Sequence, residues 1–424
     1  MKKPFNIPET LFFFPVGDRR DDSPEKPDRS RSERGIALMV AVMIISVMMM
    51  FAAEFIVSST VDLTRASAQR DNVRAEYVAK SGANWALWLN LFDYGLQLQL
   101  GADPATKALK DGIGTIWDKL GAVFPYDSPL DLTEAGKFAA VFGMSGLFDS
   151  ATLDLFKSLG GELGVEVEDE TGKINLSSCY TSQADCAIVM MQVEALMSCT
   201  AVEQDYNKQT NTKPSELVRR IKDWIDKNTT VEPGSGNSEE NEPYQKRVPP
   251  YKAKNSPMDS VNELLLVDGW NRELNSYYGP YLTVWPFPDV TTKNGFKINI
   301  NTMPKEALKC MFGRELGTPE ANEKFVKKYR EVMEKSGHLA GSDAELQSAI
   351  TDLTGYRSEG TDKGGSQDRS TWLTTESKTF KVKAKGIVGD QTRIVEYVIQ
   401  RSTGQQMTLS NGGAPWSIPF FRMY

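Results

Sequence analysis

The strongest constraint on this chain is an apolar run at residues 36–53, interrupted only by Ser46 and entered directly from Gly35. At about 1.5 Å per helical residue it is long enough to cross a bilayer core. A secretory signal has a shorter apolar region, roughly 7–15 residues, and a small residue two places before the cut. Placing the cut after Ala52 or Ala53 sets Met50 or Phe51 at that place, so removal after the run is rejected. Arg29, Arg31 and Arg34 precede the run, which favours a cytoplasmic N-terminus and a C-terminal bulk on the other side.

Beyond the run the helical spacing continues without Pro or Gly as far as Gly82. Tyr77, Ser81, Trp85, Trp88 and Phe92 recur at steps of three and four and form one stripe. Leu63, Ala66, Arg70, Val73 and Tyr77 step back along a more polar face. One helix from residue 36 to about 92 is expected, on the order of 85 Å long. The plainer alternative is an anchor, a stalk and a separate domain helix.

Net charge is −7, which argues against a nucleic-acid binder that works through a basic field. The single histidine, His338, lies in the Gly-containing stretch EKSGHLAGSD and reads as a solvated loop residue. With one imidazole in the chain, His-based zinc sites and Ser-His-Asp chemistry find no support, and the expectation is that the protein is not an enzyme. The stretches INTMPKEALKCMFG and SPMDSVNELLLVDGW each have the look of a helix-hairpin-helix element. Without a basic surround, packing is the better use for them than gripping phosphate.

Strand patterns fall in two blocks. GVEVEDETGKINLSS alternates at Val165 and Val167 and is expected to turn at Thr171-Gly172 into a hairpin with Ile174 and Leu176. PYLTVWP and FKININTMPKEAL read as two further strands, the second entering a helix through Pro304. KTFKVKAKGIVGDQTRIVEYVIQRS reads as a hairpin. In it Phe380, Val382 and Ala384 face one way, and Ile394, Glu396, Val398 and Gln400 lie on the returning strand. A mainly helical stretch separates the blocks, so the expected class is α+β: a sheet carrying an inserted helical domain. Residues 95–163 fit two or three short amphipathic helices. The tail ends in Trp416, Phe420, Phe421 and Tyr424, expected to dock on its own domain.

Basic residues, Gly35, an apolar helix entered at once and an amphipathic continuation together resemble a type IV prepilin-like signal. That resemblance implies cleavage by a prepilin peptidase between Gly35 and Ile36, methylation of the new N-terminus and retention of the apolar helix. Counting from Ile36, the fifth residue is Val40, where most of that family carries glutamate. A buried charge without a partner is costly, so an apolar residue suits a subunit with no neighbour above it. Val40, with EDETGKINLSS, IKDWIDKN, NSPMDSVNELLLVDGW and ININTMPKEALKC in that order, resembles the minor pseudopilin K family (GspK) of type II secretion. The implied fold is a long, partly transmembrane N-terminal helix packed on an antiparallel sheet, with a large inserted α-helical domain. The implied layout is a leader at 1–35, the transmembrane part at 36–53, and helix, connections and first strands at 54–178. The inserted α-domain follows at 179–278, the remaining strands at 279–402 and a tail at 403–424.

The same resemblance implies calcium in the α-domain. The stretch DWIDKNTTVEPGSGNSEENEPYQ is dense in oxygen ligands, as calcium requires, although its spacing is not that of an EF-hand. Asp223, Asp226, Asn228 and Glu240 are the expected ligands; a merely solvated acidic loop is the alternative. Of the four cysteines, Cys186 and Cys199 would stand about 20 Å apart on one helix, beyond bridging. Cys179 with Cys186 is the more plausible local bridge, and the sequence leaves the pairing open.

The functional expectation is a non-catalytic tip subunit of the type II secretion pseudopilus. It would initiate or cap assembly and help protein export across the outer membrane. Implied partners are the I, J and H type minor pseudopilins, the major pseudopilin, the prepilin peptidase and the inner membrane, with secreted cargo or the outer-membrane secretin beyond, and no nucleic acid. The expected location is the bacterial inner membrane, single-pass, with the C-terminal domain periplasmic. The alternatives are a minor pilin of a type IV pilus or competence system, and a membrane-anchored periplasmic hydrolase.

Overall fold

The computed structural model describes residues 30–100, 117, 121, 124–132, 154, 158, 160–198, 212–286, 295–311, 319–354, 369–401 and 416–424. It divides into two units, residues 1–67 and 68–424. The first unit is described by the early part of helix α1 (Ser30–Leu100). There every large apolar side chain from Ile36 to Val57 is exposed, none by less than the 48% of Val47. Apolar surface of this extent requires lipid or other helices around it. Ser46 Oγ donates to the Val42 carbonyl at 2.8 Å, so the one polar side chain of the run is satisfied within its own helix. Among the described residues, α1 is the one helix long and apolar enough to cross a membrane.

In the second unit, the remainder of α1 lies on a five-stranded antiparallel sheet of order β1-β2-β7-β8-β9. Its strands are β1 (Leu130–Asp131), β2 (Glu162–Asp169), β7 (Thr379–Val388), β8 (Gln391–Arg401) and β9 (Trp416–Met423). The face of α1 turned to the sheet is built of small residues, with Val78, Ala79, Ala83, Ala86 and Leu89 buried against Leu163, Val165, Val382, Ala384, Val395, Tyr397 and Ile399. Two glycines set the closeness of that contact. A Cβ on Gly386 would lie 2.3 Å from the Ala75 carbonyl oxygen, and one on Gly82 would lie 2.5 Å from Leu163 Cδ1. The Tyr397 hydroxyl donates to the Ala83 carbonyl. The aromatic stripe expected along α1 lies elsewhere on the helix: Tyr77, Trp88 and Phe92 are exposed, Trp88 stacked on Phe92 at 5.5 Å.

The β7–β8 hairpin is present, closed by a two-residue turn with Gly389 at φ +56°. The register sets Phe380, Val382 and Ala384 opposite Ile399, Tyr397 and Val395. The returning residues that share their face are the odd-numbered ones; Ile394, Glu396, Val398 and Gln400 lie on the returning strand, as expected, and face the other way. The expected hairpin at Thr171-Gly172 is not formed. β2 pairs with β7, while β3 (Ile174–Asn175) pairs in parallel with β4 (Leu282–Thr283). The reason is local: the Asp169 carboxylate accepts the Thr171 N–H at 2.8 Å and winds residues 170–172 into a 3-10 turn. PYLTVWP and FKININ each keep only a two-residue strand, β4 and β5 (Ile298–Asn299), and β5 pairs in parallel with β6 (Leu373–Thr374).

A second, larger apolar core is mainly helical. It is built from α2 (Gln183–Ser198), α3 (Pro214–Ile225), α4 (Glu242–Gln245), α5 (Arg272–Tyr278), α6 (Lys305–Met311), α7 (Pro319–Ser336) and α8 (Leu346–Thr354). Val398 of β8 and, from β9, Phe420 also pack on it. α3 shows why such a segment is helical. Pro214 sits at its first turn, where its missing N–H costs nothing. Leu217, Val218, Ile221, Trp224 and Ile225 then repeat at steps of three and four and are buried. Leu264, Val267, Trp270 and Leu308, from the two stretches that looked like helix-hairpin-helix elements, are buried in this core. The expected short helices of 95–163 fall almost wholly outside the described residues. The end of the tail does dock on the chain's own domain, as β9 paired with β8.

Candidate cation site and assembly surfaces

α3 ends by bringing two carboxylates inside. Asp223 and the cap residue Asp226 are buried, as is Glu240 from the loop that follows. The loop is pinned from several sides. Arg220 Nε donates to the Ser235 carbonyl at 2.7 Å and its Nη1 reaches Asp268 at 3.0 Å, while Lys222 pairs with Glu232. The Glu232 N–H donates to Asp223 Oδ1 at 2.8 Å. Asn255, at φ +47°, approaches from a separate segment, and its Nδ2 donates to the Asn228 carbonyl at 2.9 Å.

Five buried oxygens in this cluster have no hydrogen-bond partner: Asp223 Oδ2, Asp226 Oδ1, both carboxylate oxygens of Glu240, and Asn255 Oδ1. Buried acceptors left unsatisfied are costly, and three crowded carboxylates more so. The titration behaviour reflects this. Burial, followed by the neighbouring charges of Asp226, Glu240 and Glu232, pushes Asp223 up to about 7, against the pull of the Glu232 N–H. Burial also raises Asp226, with Lys222 offsetting part of the rise. Burial raises Glu240, the Asn255 amide offsets part of that, and Asp226 adds to it. Among the described residues no three His, Cys, Asp or Glu side chains already surround one ion position. The donor set, all oxygen and mixed carboxylate and amide, nonetheless fits a hard cation of the calcium kind.

Of the expected ligands, Asp223, Asp226 and Glu240 come together with free oxygens. Asn228 is near, but its side chain is engaged: Nδ2 donates to Asp226 Oδ2 at 2.9 Å and Oδ1 accepts the Thr230 N–H at 2.7 Å. Asn255 was missed. It lies outside the acidic stretch, and only its left-handed backbone, which sequence does not display, marks it.

Cys179 and Cys186 lie at bonding distance, with Cα atoms 3.8 Å apart, and Cys310 is also disulfide-bonded. Ile36 and Val40 are exposed on α1, and nothing lies within 4 Å of a Cβ built on Gly35. The segment EDETGKIN, expected from the sequence as a hairpin, is a clasp. Asp169 Oδ2 accepts from Thr302 Oγ1 at 2.6 Å, Ser377 Oγ at 2.6 Å and Asn299 Nδ2 at 3.3 Å. Glu170 accepts from the Thr283 hydroxyl and from Lys173 Nζ at 3.0 Å.

A long helix, apolar at its start and laid further on along an antiparallel sheet, with a helical core beside it, defines an α+β protein. By sequence the chain is similar to type II secretion system protein K. The family model described as "Type II secretion system (T2SS), protein K" matches residues 172–287. Type II secretion system protein K of Pseudomonas aeruginosa is 23% identical over 68% of this chain and 71% of its own length. That of Aeromonas hydrophila is 22% identical over 91% and 98%. Among solved structures, the GspK-GspI-GspJ complex from the enterotoxigenic Escherichia coli type 2 secretion system gives a TM-score of 0.42 at 14% identity. That match covers 62% of this chain and 80% of the matched one.

Proposed function

We propose that the protein is a minor pseudopilin of a type II secretion system, seated at the tip of the pseudopilus. α1 is the observation that carries this reading. Its first part has no apolar side chain covered, and its later part presses a small-residue face to the sheet while leaving Tyr77, Trp88 and Phe92 uncovered. Such a helix suits lipid first and partner helices afterwards. Prepilin peptidase cuts between Gly35 and Ile36, leaving a single-pass subunit with its sheet and helical core in the periplasm. Val40 carries no charge that would need a partner above it, which fits the tip. I, J and H type minor pseudopilins and the major pseudopilin are the assembly partners, and cargo or the secretin lies beyond the tip. The role needs no catalysis.

Calcium would be held by Asp223, Asp226, Glu240 and Asn255, where it supplies positive charge to crowded carboxylates and fixes the loop after α3. The role is structural: the ion ties the end of α3 to the loop that carries Glu240 and to Asn255.

Co-expression of the full chain with I and J type minor pseudopilins tests the assembly reading. A complex recovered from detergent-solubilised membranes, and lost when Tyr77, Trp88 and Phe92 are changed together to Ala, is expected. A complex indifferent to that triple change contradicts the use of this face.

A further inference from the structure

β9 is the last strand of the sheet on its side, and its outer edge is unpaired among the described residues. Ile394 and Tyr424 exchange both main-chain hydrogen bonds, at 2.8 and 3.0 Å. Bonded and non-bonded pairs alternate along an antiparallel ladder. With Val395 opposite Met423, Glu396 opposite Arg422 and Tyr397 opposite Phe421, Arg422 and Phe420 bond inward to β8. The N–H and C=O groups of Phe421 and Met423 therefore point outward. Their side chains lie on the face of Tyr397 and Val395, yet are 59% and 41% exposed. Arg422 projects from the other face, its guanidinium 4.9 Å from the Tyr424 ring.

Exposed apolar edges invite strand pairing, and proteins guard them with proline, bulges and charge. Here Pro419 and the irregularity between Val398 and Gln400 close one end only. Residues 420–424 keep a regular ladder with Arg422 as the sole charge. That charge discriminates between occupants. Two copies pairing antiparallel through Phe421 and Met423 would set each Arg422 against its twin, and like charges directly opposite repel. A strand with an acid at that place pairs with it instead.

We propose that the β9 edge docks an extended strand of another protein with an apolar–acidic–apolar pattern. The acid meets Arg422, the two apolar side chains cover Phe421 and Met423, and the main chain extends the sheet. The inference stands apart from the secretion reading, because it is read on the purified chain alone.

The test uses the full chain in detergent micelles and a fluorescein-labelled, disulfide-cyclised β-hairpin peptide with a free strand reading Thr-Val-Glu-Val-Thr. Saturable anisotropy change is expected, about fivefold weaker when Lys replaces the peptide's Glu, and abolished when both peptide valines are N-methylated. Arg422→Glu should reverse the preference between the two peptides. No saturable binding, equal binding of the methylated peptide, or a preference unmoved by Arg422→Glu overturns the proposal. So does a dimer of the chain in light scattering that is dispersed by Phe421→Pro, which removes an outward N–H and leaves the bonds to β8 intact.

Discussion

Arg401 at the end of β8 and Asp93 near the end of α1 stand 3.6 Å apart, both almost sealed from solvent. The guanidinium also donates to the Asn90 carbonyl at 3.0 Å and the Ser377 carbonyl at 3.2 Å, and lies between the rings of Phe380 and Tyr94 at 4.6 and 4.8 Å. Burial pushes the Arg401 pKa down, and Asp93 first among its neighbours pulls it back. This pair anchors the helix to the sheet. Asp93→Ala leaves a buried cation uncompensated and should cost about 3–5 kcal/mol in urea denaturation of the full chain. Asp93→Leu combined with Arg401→Met should cost less than the sum of the two single changes. A wild-type midpoint for Asp93→Ala contradicts the anchoring role.

Asp169 accepts on both oxygens, from one backbone N–H and three side chains. Asparagine there must turn an NH2 toward donors whichever way it flips. Asp169→Asn should therefore destabilise by about 1–3 kcal/mol, and Ser377→Ala, which removes a single donor, by less. Equal melting temperatures for Asp169→Asn and wild type would show that the clasp contributes nothing.

Asp223 titrates near 7, above its ordinary 3.8. A carboxyl whose folded pKa is raised binds its proton more tightly in the native state, so stability without calcium falls as pH climbs between those values. Calcium requires the ionised form. The rise in Tm on replacing EDTA with excess calcium should thus be larger at pH 8 than at pH 5, and at a concentration 100 times Kd is worth about 2.7 kcal/mol. Asp226→Ala should remove it at both. No calcium-dependent shift at pH 8 contradicts the site.

Cys179, Cys186 and Cys310 are disulfide-bonded, and no described cysteine is free. Chain isolated without reductant and unfolded in guanidinium should show none of these three alkylated by mass spectrometry, and all three after reduction. Alkylation of Cys179 or Cys186 before reduction contradicts their bridge.

The parts legible in the sequence were those governed by local period. The β7–β8 hairpin follows from alternation around Gly389-Asp390, and α1 from uninterrupted helical spacing. The acidic cluster was legible because three of its carboxylates lie within one short stretch. Where partners are remote, the pattern misled. Val165 and Val167 pair with β7 rather than across Thr171-Gly172, because the Asp169 carboxylate winds residues 170–172 into a 3-10 turn and is itself held by side chains more than a hundred positions away. The face α1 gives the sheet is an alanine row, less conspicuous than the aromatic stripe, of which Tyr77, Trp88 and Phe92 are left exposed and Trp85 packs on the core. Asn255 joins the acidic cluster through a backbone conformation that carries no sequence signature.

The central claim is that α1 begins as a processed pseudopilin helix rather than a simple anchor. It is tested most directly by intact-mass and N-terminal analysis of the protein from membranes of cells with active prepilin peptidase. The account predicts a mature chain that starts at N-methylated Ile36. A chain still carrying Gly35 and the residues before it would contradict it.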